Sequence, residues 1–220
     1  MNAPRPHYPS ALWVEPFHRT LHILQTMPQR TNDLTLDSSL RDLRANFLAT
    51  STQSMPIAGI LFWAIVAMAA LRLNPNQLSL LVLFGSGTIF PLGILIDRLT
   101  QRRFTVASAA NPVTQMFMQS LGLVALTWPL VILAARHAHD ANLIVLGGAI
   151  LMGIIWIPYG WATDDPVGLQ HAIGRGLLSY VAFVYVPSPY KATGISCVVL
   201  LAYLYSLLRM KRPPKAVTGR

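Results

Sequence analysis

Four ionisable residues in the second half of the chain have types and spacing that chemistry could use: Asp164, Asp165, His171 and Arg175. Two adjacent carboxylates followed by an imidazole and a guanidinium could relay protons or bind a cation at a membrane edge. His171 and Arg175 are four residues apart, so a helix would place them on one face. In the alternative interpretation, the aspartates cap the helix that follows and Arg175 anchors it at lipid headgroups.

A second group lies in the Arg-His-Ala-His-Asp stretch, which contains His137, His139 and Asp140. Two imidazoles and a carboxylate could bind zinc or copper. A His-x-His pair supplies few spaced ligands, however, and a solvated loop is the favoured interpretation. We therefore predict no metal and no cofactor. No nucleophile, acid–base or nucleotide motif stands out, so the sequence favours a protein that is not an enzyme.

A third feature is the stretch from Phe84 to Pro91, which is rich in glycine and polar residues for an apolar segment. Pro91 removes a backbone hydrogen bond and can kink a helix. Gly85 and Gly87 would make a break in that helix easier. A broken helix could line a path for a substrate. Small residues there also allow helices to pack closely, and close packing is the favoured interpretation of the two.

Composition indicates the elements that must position these residues. Only 11% of the 220 residues are charged and 53% are hydrophobic, whereas about a quarter of residues are charged in soluble domains. The net charge of +9 comes from basic residues that flank apolar runs. This pattern is typical of a membrane protein facing anionic headgroups, and we exclude nucleic-acid binding. Cys197 stands alone in an apolar run and is expected to be a buried thiol.

Six apolar segments approach the length of about 20 residues that a membrane-spanning helix needs. They lie at about 55–73, 78–96, 116–135, 142–161, 171–187 and 192–210. The fifth is the weakest, because a helix long enough to span must include Arg175, which would then snorkel to the interface. A re-entrant segment is the alternative there.

The distribution of basic residues favours six spans with the N-terminus in the cytoplasm. Of the 17 Lys and Arg residues, this topology leaves three outside (Arg72, Arg136 and Lys191) and the other 14 inside. Five spans would export the basic tail 211–220, contrary to the positive-inside rule. We therefore predict a multi-pass protein of the cell (inner) membrane with both termini cytoplasmic. Its lipid contacts would include anionic headgroups at the cytoplasmic face.

Residues 1–54 are predicted to form a cytoplasmic or interfacial segment before the six-helix domain at 55–210. Within it, residues 1–11 read as disordered, and helices are predicted at about 16–27 and 35–49. The second helix is amphipathic, with an apolar stripe made by Leu36, Leu40, Leu43 and Phe47. It would lie on the membrane or on the inner end of the bundle, and packing on a neighbouring subunit is the alternative. The predicted fold is thus an all-α membrane bundle preceded by amphipathic helices.

Five motifs, in this order, resemble a family of uncharacterised, mostly bacterial multi-pass membrane proteins of unknown function. They are Gly59–Trp63, Phe84–Leu92, Asn111-Pro112, Trp128-Pro129 and Ile157–Trp161. The similarity runs from about residue 40 to the last span. This resemblance implies a small helical membrane bundle and carries no established activity or substrate.

Three functions are compatible with these observations. The first is a small transporter or permease-like protein, because bundles with several proline-broken helices usually move a solute. The second is a structural or accessory subunit that binds a partner membrane protein, or a second copy, through its helix faces. The third, a lipid-acting membrane enzyme, has the least support because no catalytic set is recognisable.

Overall fold

The computed structural model describes residues 39–50, 54–99 and 110–211. Within these residues all regular structure is helical, and no strand occurs. The predicted disordered tail at 1–11, the helix at 16–27 and most of the basic tail lie outside the described residues. The all-α prediction is therefore confirmed for the part of the chain that the structure describes.

Two helices open the described chain: α1 (Leu40–Thr50) and α2 (Ser54–Ala69). At the start of α1, the Ser39 hydroxyl accepts a hydrogen bond from the Asp42 amide at 3.3 Å. Phe47 is the buried residue of α1, and it belongs to the predicted apolar stripe. In α2 the residues that face the bundle include Ala58, Gly59 and Phe62, and Trp63 is fully buried.

The next apolar run forms a helix with a break in its middle. Its first part, α3 (Pro75–Gly85), begins with a capping box in which the Asn74 side chain accepts from the Gln77 amide at 2.9 Å. A 3₁₀ turn, Ser86–Thr88, separates it from α4 (Ile89–Leu99). Pro91 explains this break, since its ring clashes with the carbonyl four residues earlier and it has no amide hydrogen to donate.

The longest helix, α5 (Pro112–His137), has 26 residues and continues through Pro129. The Asn111 side chain caps it by accepting from the Val113 amide at 2.9 Å. Next come α6 (Asn142–Ile154) and α7 (Trp156–Thr163), which are separated at Ile155. Pro158 lies four residues after Ile154 and accounts for this second break.

The last two helices, α8 (Val167–Tyr185) and α9 (Lys191–Arg209), have 19 residues each. At 1.5 Å per residue each is about 28 Å long. The weakest predicted segment, 171–187, thus falls on one uninterrupted helix as far as Tyr185, and its last two residues lie beyond the helix end. Cys197 on α9 is exposed, so the expectation of a buried thiol is wrong. The helix turns Cys197 away from the bundle, whereas Ile195, Ser196 and Val199 face the interior.

Four stretches of the described chain have the length and hydropathy of membrane spans: Pro75–Leu99, Pro112–His137, Asn142–Thr163 and Lys191–Arg209. α1 and α2 make a fifth if the two are counted as one bent span. α8 is long enough, but its Gln170, His171 and Arg175 lower its hydropathy. The buried core lies where α2, α6, α8 and α9 meet, around Ala58, Ala149 and Ile195.

Candidate functional site

One face of α8 is buried in the bundle although it carries polar residues. His171, Arg175, Ser179 and Ala182 recur every three or four residues and are all buried. This spacing matches the 3.6-residue period of a helix, so their side chains form one stripe. The structure therefore brings His171 and Arg175 together, with Arg175 Nη1 at 3.5 Å from His171 Nε2.

His171 is held by both aromatic and polar contacts. Its ring stacks on Trp156 with the centroids 4.0 Å apart, and the edge of Tyr203 approaches it at 5.2 Å. Its Nδ1 lies 2.7 Å from the Ser206 hydroxyl and 3.1 Å from the Ala202 carbonyl oxygen. The carbonyl can only accept, so Nδ1 carries a hydrogen, and Nε2 is left to accept from Arg175.

Arg175 is fully buried between aromatic rings. Its guanidinium carbon is 5.4 Å from the Trp63 ring centroid and 5.2 Å from the Tyr203 ring centroid. Cation–π attraction of this kind offsets part of the cost of burying the charge. Gly153 of α6 also lies against the side chain, since a Cβ there would be 3.2 Å from Arg175 Cδ. Both Nε and Nη2 are buried without a hydrogen-bond partner.

The two aspartates occupy a different place from the His171–Arg175 pair. Asp164 ends α7 in the left-handed conformation, with φ of 52°, and its side chain is 74% exposed. It forms ion pairs of 3.6 Å with both Arg44 and Lys211. Asp165 is buried; its carboxylate accepts from the Val167 amide at 3.0 Å and from the Lys211 amide at 2.6 Å.

No hydrogen bond or ion pair among the described residues joins either aspartate to His171 or Arg175. Asp165 accepts a hydrogen bond from an amide at the start of α8, which agrees with the interpretation that the aspartates cap the helix that follows them. Asp164 connects α1 with the end of α9. We call Asp164, Arg44 and Lys211 the ionic cluster, and His171, Arg175, Trp63, Trp156 and Tyr203 the buried cluster.

A cleft of about 360 Å³ lies beside the buried cluster. Its walls come from α1, α2, the 3₁₀ turn before α4, and helices α4, α5, α6, α7 and α9. Most lining side chains are apolar, and the polar ones include Ser86, Asp97 and Thr114. Asp97 is buried and accepts a hydrogen bond from the Ser54 hydroxyl. Trp156 and Tyr203 also line the cleft, so these two rings separate it from Arg175.

The candidate kink residues are divided between the cleft and the helix packing. Gly87 lines the cleft together with Ser86. Gly85 packs instead on α2, where a Cβ would be 2.8 Å from Phe62 Cε2. Pro91 is exposed. The sequence left a broken helix and close packing as alternatives, and the structure contains both within this stretch.

His137, His139 and Asp140 lie at the connection between α5 and α6. Both histidines are exposed, and His139 has a positive φ of 53°. The Asp140 carboxylate accepts from the backbone and side-chain nitrogens of Asn142, each at 2.9 Å. Among the described residues no group of three His, Cys, Asp or Glu side chains is arranged to hold a metal ion.

Several residues of these sites were not found by reasoning on the sequence. Trp63, Tyr203 and Ser206 come from α2 and α9, and no local signal links them to α8. Asn111 is fully buried and donates to the Leu43 carbonyl oxygen at 2.8 Å, which fastens α1 to the start of α5. An asparagine before Pro112 is a helix-start signal, but it predicts only the cap and not this contact.

The fold and the buried polar stripe define an all-helical protein with several apolar helices of membrane length. The chain belongs to a family of unknown function, DUF7010, whose model matches residues 40–211. No curated protein and no solved structure matches the chain. The family membership agrees with the resemblance to uncharacterised proteins. It assigns no function, so the function is inferred from the site.

Proposed function

We propose that this chain is a six-span membrane protein that binds a small, largely apolar molecule in the cleft and moves it across the bilayer. The observation that supports this is the cleft itself. A volume of about 360 Å³ falls within the range of roughly 300–1,000 Å³ that small-molecule sites occupy, and its apolar lining with a few polar groups is typical of such sites.

The proposed topology places both termini in the cytoplasm and counts α2 and α8 among the spans. The distribution of Lys and Arg supports it through the positive-inside rule. The ionic cluster supports it as well, since Arg44, Asp164 and Lys211 meet where α1, α7 and the end of α9 would face the cytoplasm. In this orientation Thr114 lies near the cytoplasmic surface, and the cleft extends along α5 to Trp128. That distance is about 21 Å at 1.5 Å per residue.

Two features of the cleft fit a passage rather than a closed pocket. The 3₁₀ turn Ser86–Thr88 stands near the middle of a helix that is otherwise long enough to span. Broken helices at mid-membrane are a recurrent element of transporters. At the other end, Phe47 packs edge-on against Phe117 and Tyr159, with centroids 5.7 and 6.2 Å away. This aromatic contact places α1 across the mouth of the cleft.

Water access along the cleft tests the proposal. Cys197 is exposed and is first replaced by alanine; single cysteines are then placed at Thr114, Leu121 and Ser86. Inverted vesicles are treated with a membrane-impermeant thiol reagent. If the cleft opens toward the cytoplasm during transport, all three positions are labelled. The matched control is Leu126→Cys, since Leu126 lies on the outer face of α5 and is 75% exposed; it would face lipid and stay unlabelled.

Labelling of Thr114→Cys alone would show that water stops at the mouth, and the transport proposal would then be wrong. The topology is read from the same background with cysteines at Ala138 and Lys211. The proposal expects Lys211→Cys to react in inverted vesicles and Ala138→Cys to react in intact cells. The opposite pattern would reject the orientation.

A second candidate function, an accessory subunit, is favoured by one surface. Four leucines of α5 at spacings of three and four residues are each more than 60% exposed: Leu123, Leu126, Leu130 and Leu133. Such a stripe fits the seam of a helix pair, with a partner helix or a second copy of the chain. The accessory-subunit function is tested by cross-linking two single-cysteine variants, Leu126→Cys and Leu130→Cys, each in native membranes. A specific dimer or hetero-adduct at these positions, absent at Met68→Cys on α2, is the expected result.

A further inference from the structure

Arg175 is a buried charge for which the described residues supply no counter-ion. It is fully buried, and the two ion pairs that join described residues to each other both involve Asp164. Removing a guanidinium from water costs several kcal/mol unless an opposite charge and hydrogen bonds compensate it. Here Nε and Nη2 have no hydrogen-bond partner. The contacts of the guanidinium are with uncharged groups, the His171 ring at Nη1 and the Tyr203 side chain. A residue in this state requires an explanation.

His171 does not neutralise the guanidinium. Its Nδ1 is bonded to the Ala202 carbonyl oxygen and the Ser206 hydroxyl, which assigns the hydrogen to that nitrogen. The lone pair of Nε2 then faces Arg175, and the imidazole is neutral. The buried cluster therefore carries the single positive charge of Arg175, together with the uncharged Trp63, Trp156 and Tyr203.

The groups around Arg175 with no partner are also hydrogen-bond donors. Trp63 Nε1 can only donate, and it is buried without a partner on the ring that lies beneath the guanidinium. Ser179 Oγ is one turn further along the same face of α8; it too is buried and has no partner. Water could accept from some of these donors, but it would leave the charge uncompensated. A small anion would satisfy both requirements.

We propose that Arg175, Trp63 Nε1 and Ser179 Oγ form a binding site for one small monovalent anion in the interior of the bundle. The single positive charge sets the charge of the ligand at minus one. The rings of Trp63 and Tyr203 and the close approach of Gly153 crowd the guanidinium, so we expect an ion as small as a halide or nitrate. The site depends on burial and charge alone, so it does not require that the cleft transports anything.

The test uses the full chain purified in detergent, with chloride as the probe. Potassium gluconate is replaced stepwise by potassium chloride at constant ionic strength, and the midpoint of thermal unfolding is recorded. A ligand that binds only the folded state raises this midpoint once its concentration exceeds its dissociation constant, and the rise then continues with the logarithm of the concentration. We expect a rise of a few degrees for the native chain, none for Arg175→Gln, and an unchanged response for Arg98→Gln, whose arginine is exposed at the end of α4.

If Arg175→Gln does not fold, Trp63→Phe and Ser179→Ala each remove one donor and leave the charge in place. Each is expected to raise several-fold the chloride concentration that gives the same rise in the midpoint, because the site binds chloride more weakly. The proposal is overturned if the native chain unfolds at the same midpoint in gluconate and chloride. It is also overturned if Arg175→Gln, or in its place both donor variants, keeps the full chloride response, which would indicate a general salt effect. Labelling of the cleft cysteines does not depend on this result.

Discussion

Asp164 of the ionic cluster and Arg175 of the buried cluster are 11 residues apart in sequence, yet the surroundings of their charges are opposite. Asp164 is largely exposed and has two cationic partners at 3.6 Å. Arg175 is fully buried and has no anionic partner among the described residues. Exposed pairs contribute about 0–1 kcal/mol each, whereas a buried uncompensated charge costs several. A protein retains such a cost where the charge has a role, so the two clusters call for different explanations.

A close contact between two glycines sets the spacing of the clusters, and disturbing it should have the largest effect. A Cβ at Gly168 of α8 would overlap the Trp156 carbonyl oxygen and Gly160 Cα of α7. These are backbone atoms, which cannot turn away as a side chain can. We expect Gly168→Ala to lower the free energy of unfolding by about 3 kcal/mol, measured by denaturation in mixed detergent micelles.

Gly174 offers a matched control for that change on the same helix. A Cβ at Gly174 would meet nothing within 4 Å. Gly174→Ala should therefore be neutral or stabilising by up to about 1 kcal/mol, because alanine has the higher helix propensity. Equal losses of stability for both substitutions would show that this contact does not hold α7 against α8. The claim that it sets the spacing of the two clusters would then be wrong.

Replacing the unpaired charge itself should change stability in the favourable direction. Arg175→Met keeps a long side chain between Trp63 and Tyr203 and removes the desolvated guanidinium. We expect the free energy of unfolding in gluconate buffer to rise by about 2 kcal/mol. Arg175→Ala should lower it instead, since truncation leaves a cavity against the two rings. If Arg175→Met lowers the free energy of unfolding as much as Arg175→Ala does, the guanidinium must have a compensating anionic partner. The contrast between a paired Asp164 and an unpaired Arg175 would then be wrong.

The hydrogen bond that orients His171 should have a smaller effect. Ser206→Ala removes the hydroxyl at 2.7 Å from Nδ1 and leaves the Ala202 carbonyl oxygen in place. We expect a loss of about 1 kcal/mol, measured by the same unfolding experiment. Ser196→Ala is the control on α9, since that buried hydroxyl donates only to the Ala192 carbonyl oxygen of its own helix. Its loss should be near zero, and a larger loss than that of Ser206→Ala would contradict the assignment.

The same residues show how far the sequence alone could predict this site. Helical periodicity was sufficient to place His171 and Arg175 on one face. It could not show that α8 turns this face inward, because Trp63 and Tyr203 come from distant helices. The two aspartates were grouped with them by proximity along the chain. The left-handed conformation at Asp164 ends α7 and turns its carboxylate outward. No residue pattern near Asp164 predicts that conformation.

Proline shows the same limit for the fold. Breaks accompany Pro91 and Pro158, while α5 continues through Pro129. The local chemistry of the three residues is identical, so the outcome depends on what neighbouring helices require. Apolar runs can be located from the sequence, but their bends cannot. Hydropathy is a property of the segment alone, whereas a bend is decided by packing.

The ionic cluster should show the smallest effect and the strongest dependence on salt. Asp164→Asn removes the ion pairs with Arg44 and Lys211, and both partners remain partly solvated. We expect a loss of about 0.5 kcal/mol in the free energy of unfolding at low ionic strength, which disappears near 1 M salt because the charges are screened. Arg98→Gln, which removes an exposed cation elsewhere, should show no such dependence. A loss above about 2 kcal/mol that persists at high salt would place Asp164 in the same class as Arg175, and the distinction between the two clusters would then be wrong.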